Sequence, residues 1–221
     1  MNDDYTDSGV VNGPRSANRD TMGGIVITPA PPINRTGQVA TSIAAALAAH
    51  GIERTDEDFA ETPQRWARML EEFFAHSDSD LRAVLKDGFT APKDAGMVIQ
   101  QNIPFRALCP HHLLPVFGRA AIGYIPRARV VGLSKLARIV EVAGTIRPDT
   151  QECITGKIAD ALFDHLEPQG VIVYIRACHT CMAVRGVAAP DVWTSTSVVK
   201  GVFRDVPSAR QEFFAIVNAA S

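Results

Sequence analysis

Residues 170–181 read "GVIVYIRACHTC". The first part has the alternation and β-branching of a buried strand, and the run ends on a cluster of two thiols and an imidazole. Downstream, "WTSTSVVKGVF" (193–203) reads as a further strand, and "SARQEFFAIVNAA" (208–220) closes the chain as a helix with Ser208 at its cap. Upstream, "DTQECITGKIADALFDHLEP" (149–168) is helical, with Ile154, Ile158, Leu162 and Leu166 recurring every four residues. "LSKLARIVEV" (133–142) is a second helix, while "MVIQQNIPFRALC" (97–109) and "GRAAIGYIP" (118–126) are strands. Strands and helices in this clustered order predict an α+β domain, with helices packed on one face of a largely antiparallel sheet.

The chain ahead of this domain has a different texture. Residues 1–36 mix Gly, Pro, Asn and Asp with little periodicity and are expected to form a disordered tail. Residues 37–95 form an N-terminal helical region, and 96–221 the C-terminal domain. Within the helical region, "QVATSIAAALAAH" (38–50) is an alanine-rich helix stopped by Gly51. "ETPQRWARMLEEFFAH" (61–76) has Thr62 as N-cap, Pro63 in the first turn, and Trp66, Met69, Leu70 and Phe73 on one stripe.

The composition excludes several classes. Apolar residues make up 46% and charged residues 21% of 221, which suits a globular protein with a real core. A net charge of −2 argues against nucleic acid as a partner, so any anion site must be a local cluster. No run of apolar residues approaches a membrane span. The opening "MNDDYTDSG" lacks the basic start and apolar core of a secretory leader. Four cysteines fit thiols in a reducing cytoplasm better than a disulfide scaffold.

Two clusters carry metal-ligating residue types. "LCPHHLLPVFG" (108–118) offers Cys109, His111 and His112, and "ACHTCMAVRG" (177–186) offers Cys178, His179 and Cys181. Clusters bracketing a sheet suit a split site closed by folding, and catalytic zinc takes three protein ligands and keeps one position for water. Buried cysteines that act as small apolar fillers, and a redox-active Cys-x-x-Cys, are the competing readings. A second constellation is cationic. Ser134, read as a helix cap, precedes Lys135 and Arg138, which lie three apart on one face. Cations in a first turn oppose the helix dipole unless an anion docks there; a solvated basic face is the alternative. Arg185, just past Cys181, and the pair Arg65 and Arg68 extend the set toward a polyphosphate grip. Finally, Gln151 and Glu152 open the long helix. Asp149 with Glu152 fits a capping box, while a Gln-Glu pair can also meet the edge of a purine.

Taken together, these motifs resemble GTP cyclohydrolase I, the zinc enzyme family that opens pteridine biosynthesis. The similarity runs from about Glu61 to Phe214 through "ETPQRWARM", "CPHHLLPVFG", "VVGLSKLARIV", "ITGKIADAL", "HTCMAVRGV", "TSTS" and "RQEFF". The resemblance implies a tunnelling fold assembled as a homo-oligomer, a toroidal decamer with sites between subunits. It implies Zn(2+) held by Cys109, His112 and Cys181, with His111 and His179 as proton-handling imidazoles. It implies guanine recognition by Gln151 and Glu152, ribose and triphosphate contacts from Ser134, Lys135, Arg138 and Arg185, and a reach by Arg65 and Arg68 into a neighbouring subunit's site. The implied reaction opens the imidazole ring of GTP at C8, releases formate and yields 7,8-dihydroneopterin triphosphate. The chain departs from the family pattern at Pro110, where the family has glutamate, at Cys153, where it has arginine, and at the added thiol of Cys178. A pathway-specific paralogue acting on a related purine nucleotide, and a non-catalytic zinc-binding module, are the alternatives.

Overall fold

The apolar alternation of residues 170–179 becomes a central strand because both of its faces are covered. In the computed structural model, which describes residues 35–53 and 55–219, the chain begins with α1 (Arg35–Ala48), α2 (Thr62–Glu72) and α3 (Asp78–Val84). The first strands follow: β1 (Phe89–Thr90), β2 (Val98–Leu108), β3 (Pro115–Ile125) and β4 (Arg129–Val130). Helices α4 (Leu133–Gly144) and α5 (Gln151–Leu166) follow, then β5 (Gly170–His179), α6 (Thr180–Ala183), β6 (Trp193–Gly201), α7 (Val202–Asp205) and α8 (Pro207–Ala219). The expected tail, residues 1–36, lies outside the described residues except for Arg35 and Thr36, which start α1.

The main sheet is antiparallel with strand order β2-β3-β5-β6, and β1 pairs with β4 as a separate two-stranded ribbon. In β5, Val171, Val173, Ile175 and Ala177 share a core with Leu136, Ile139 and Val140 of α4 and Ile154, Ile158 and Leu162 of α5. Burying each of the valine, isoleucine and leucine side chains among them contributes about 1.5–3 kcal/mol. Gly144 marks how closely α4 crosses β2, since a Cβ there would overlap the Arg106 carbonyl oxygen. The fold class is therefore the expected α+β arrangement of helices packed on an antiparallel sheet, with one addition. The second sheet face is also covered at one end, where Ala121 and Ile172 pack on Phe203 and on Phe213 of α8. Gly123 makes room for that helix, because a Cβ would meet the Phe213 ring at 2.7 Å.

Several boundaries shift by a residue or two from the sequence reading. Thr62 is the first residue of α2 rather than its N-cap, a place taken by Glu61. Gly132, not Ser134, caps α4, and Ser208 lies inside α8. The alanine-rich helix ends at Ala48, with Gly51 at φ +77 after a further turn. No helix among the described residues is long and apolar enough to cross a membrane.

The strand directions place the functional clusters. β2 and β5 are each antiparallel to β3, so both run the same way and finish at the same end of the sheet's strands. Val116, near the start of β3, pairs with Ala107 on one side and His179 on the other. The hairpin after β2 and the exit of β5 therefore face each other across one strand.

Candidate metal and nucleotide site

Cys109 is the first residue beyond β2, and its backbone N–H donates to Leu114 O at 3.0 Å to close the β2–β3 hairpin. Pro110 lacks an N–H and fixes φ, so it suits the tip of that turn. Leu113 turns the chain back with φ +52. His111 and His112 are exposed on the hairpin, while Cys109 is buried. Cys181 sits buried in the single turn of α6, which the Thr180 hydroxyl ties to Pro115 O at 2.6 Å.

The hairpin and the turn bring Cys109, His112 and Cys181 together, with their ligand atoms all within 4.8 Å of one another. Cys109 Sγ lies 3.9 Å from His112 Nδ1. Tetrahedral zinc bonded to sulfur at about 2.3 Å and to nitrogen at about 2.0–2.1 Å has S···N edges of about 3.6 Å and S···S edges of about 3.8 Å. The trio is thus a small contraction away from a zinc-sized triangle, and two thiolates with an imidazole are the donors zinc favours. Burial pushes the Cys181 thiol above its ordinary pKa, and Cys109 beside it pushes the same way, while Arg185 pulls it down. His111 Nδ1 is also 3.7 Å from Cys109 Sγ but stands outside the trio. Cys178 stands outside it as well. It is buried beside Phe117 and Trp193 in the sheet register and adds no donor to the group.

A cavity of about 420 Å³ opens over this trio, within the range of small-ligand sites. Its lining includes all three thiol and imidazole donors, together with His111, Gln151, Glu152 and His179. The long helix α5 aims its first turn at the cavity. Its N-cap is Thr150, whose hydroxyl accepts from the Cys153 N–H at 3.3 Å, so the expected Asp149–Glu152 capping box is absent. Asp149 is occupied elsewhere, accepting from Lys157 Nζ at 3.0 Å and lying 3.9 Å from Arg147. Glu152 is exposed to the cavity. Gln151 is 2% exposed, and its amide is hydrogen-bonded at both ends within the protein. Burial lowers the His179 pKa, and the Glu152 carboxylate partly offsets this.

The cationic residues divide into two groups. Arg185 does not itself line the cavity, but its Nη1 contacts Nε2 of the lining residue His112 at 2.8 Å. Ser134, Lys135 and Arg138 lie on α4 and Arg65 and Arg68 on α2, and none of the five lines the cavity of the same chain. Lys135 pairs with Asp87 at 3.6 Å, and Arg138 lines a separate hollow with Ile103, Phe105 and Glu141. Sequence reasoning missed Thr155 and Thr196, which hydrogen-bond to each other at 2.7 Å behind Gln151. The only local signal was a threonine one helical turn after Gln151.

Comparison with known proteins bears on this geometry. The family model of GTP cyclohydrolase I matches residues 39–218. A GTP cyclohydrolase 1 of Halalkalibacterium halodurans is 41% identical over 182 residues, covering 82% of this chain and 96% of the relative. One from Carboxydothermus hydrogenoformans is 44% identical over 176 residues, covering 79% and 91%. Among solved structures, the apo form of an archaeosine synthase QueF-Like is 16% identical with a TM-score of 0.41, covering 49% of this chain and 97% of that one. The order of motifs along the chain and the near full-length relatives agree: this chain belongs to the GTP cyclohydrolase I family.

Proposed function

We propose that this protein hydrolyses GTP at C8 of the purine, releasing formate and forming 7,8-dihydroneopterin triphosphate with zinc at Cys109, His112 and Cys181. The observation that carries the reading is a single cavity lined by a close group of two thiols and an imidazole, by the Glu152 carboxylate and by two further imidazoles. Bound zinc lowers the pKa of water toward neutrality and so supplies a nucleophile. The chain's own groups do the rest. The Glu152 carboxylate makes no hydrogen bond or ion pair among the described residues and is placed to accept two N–H bonds from the guanine edge, next to Gln151. That contact fixes the purine so that C8 comes over the trio, a positioning effect of large kinetic value. His111 and His179 move protons at the purine ring nitrogens as the ring opens. Arg185 holds phosphate at the cavity edge. If His112 held the metal through Nδ1, its Nε2 would carry the proton and could not accept from Arg185, which would leave that guanidinium for the substrate.

Ser134, Lys135, Arg138, Arg65 and Arg68 then serve a cavity of another copy. Two features support assembly into a homo-oligomer, with a toroidal decamer as the form. β2 and β6 leave the two sheet edges open within the chain. Around the cavity end, Leu113, Met182, Val184, Val187 and Trp193 are exposed apolar side chains. The cytoplasm, where thiol ligands stay reduced, is the compartment that suits such a site. Incubating the zinc-loaded protein with GTP tests the reading. A fluorescent pterin after oxidation, with one formate per GTP, is expected; an unchanged nucleotide or a ring-opened product alone would refute it.

A further inference from the structure

We infer that Gln151 is a positioning residue, holding His179 with Nε2 as a hydrogen-bond donor so that Nδ1 is the ring atom that exchanges protons with the substrate. The inference rests on the hydrolase reading above for its substrate, and on hydrogen-bond direction for its content.

The direction of every bond behind His179 is determined. Gln151 Nε2 lies 3.0 Å from Ile175 O and 3.2 Å from Thr194 O. Backbone carbonyls only accept, so the atom facing them must be the amide nitrogen; a flipped amide would set oxygen against two oxygens. Gln151 Oε1 therefore faces His179 Nε2, at 2.9 Å. An amide oxygen cannot donate, so the proton in that bond belongs to the imidazole. The nitrogen's third neighbour, Thr196 Oγ1 at 3.1 Å, is consistent. Thr155 gives its one hydroxyl proton to Gln151 O at 2.6 Å. Thr196 must then donate to Thr155 across 2.7 Å, leaving Thr196 Oγ1 to accept from Gln151.

The chain of bonds starts at backbone and ends at an imidazole, which makes it rigid. Gln151 and Thr155 are both buried. Nδ1 of His179 has no protein partner among the described residues, and the ring lines the cavity. A buried glutamine whose two donor hydrogens and acceptor are all engaged has nothing left to offer a base, so Gln151 acts on the reaction through His179.

Two measurements test this. Solid-state NMR of sedimented zinc-loaded protein, with nitrogen-15 in histidine and His179 assigned by difference from a His179→Asn variant, reads the tautomer directly. A proton on Nε2 and none on Nδ1 in the neutral ring is expected; the reverse tautomer overturns the inference. The second measurement is steady-state kinetics of Gln151→Met. The expected result is a loss of kcat of about 10²-fold from a misplaced proton-handling group, with KM for GTP nearly unchanged. A raised KM at intact kcat would mean that the amide binds the base, and would overturn it. The NMR result needs no turnover, so a wild type that makes no pterin defeats the functional reading and leaves this one decided separately.

Discussion

Replacing Glu152 with alanine separates the two jobs a first-turn acid can have. The cap of α5 is the Thr150 hydroxyl, so Glu152 supports the helix only through its charge near the N-terminus. That interaction is worth about 0.3–1 kcal/mol. At about 2–4 °C per kcal/mol for a domain of this size, Tm should fall by no more than about 4 °C. The effect on turnover is of another order. Two hydrogen bonds from guanine to a carboxylate are worth about 1.5–3 kcal/mol each. Their loss, about 3–6 kcal/mol, lowers kcat/KM by about 10²–10⁴, since about 1.4 kcal/mol is tenfold. Thermal denaturation by circular dichroism and initial rates of pterin formation measure both quantities on one preparation. The reasoning fails if the variant keeps near wild-type kcat/KM, or if its activity falls only in step with a Tm drop of well over 4 °C.

Other substitutions probe the scaffold and the metal separately. Thr150→Val removes the cap oxygen and should cost about 1 kcal/mol in chemical denaturation; a stability equal to wild type would show that the cap is idle. Cys181→Ser should abolish stoichiometric zinc retention after dialysis, read by elemental analysis, while Cys178→Ser should retain a full complement. Equal loss in the two would contradict the assignment of Cys178 away from the trio. Phe213→Ala, which empties a fully buried position between α8 and the second sheet face, should cost about 3–5 kcal/mol in urea unfolding. A cost under about 1 kcal/mol would mean that α8 contributes little to the fold.

Much of the site was legible because its causes are local or topological. The β-branched run at 170–177 identified a buried strand. Two clusters of thiol and imidazole at the ends of strands then had to meet if those strands ran the same way. What escaped the sequence was non-local or finely local. The cap of α5 falls on Thr150 rather than Asp149 because Asp149 is drawn off by Lys157 and Arg147, partners that no spacing rule announces. The commitments of Gln151 run to Ile175, Thr194 and Thr196, each far away in sequence. The helical pattern of 208–220 was plain, yet its docking on the second face depends on the space left at Gly123. The separation of Lys135 and Arg138 from the cavity was likewise invisible, since a face of a helix carries no mark of which hollow of the folded chain it borders.

X-ray absorption at the zinc edge of the loaded protein tests the arrangement at its root. Two sulfurs at about 2.3 Å, one imidazole nitrogen at about 2.0–2.1 Å and one exchangeable light-atom neighbour are predicted. A shell with three or four sulfurs, or one closed by a second imidazole with no exchangeable neighbour, would contradict a metal centre kept open beneath a purine.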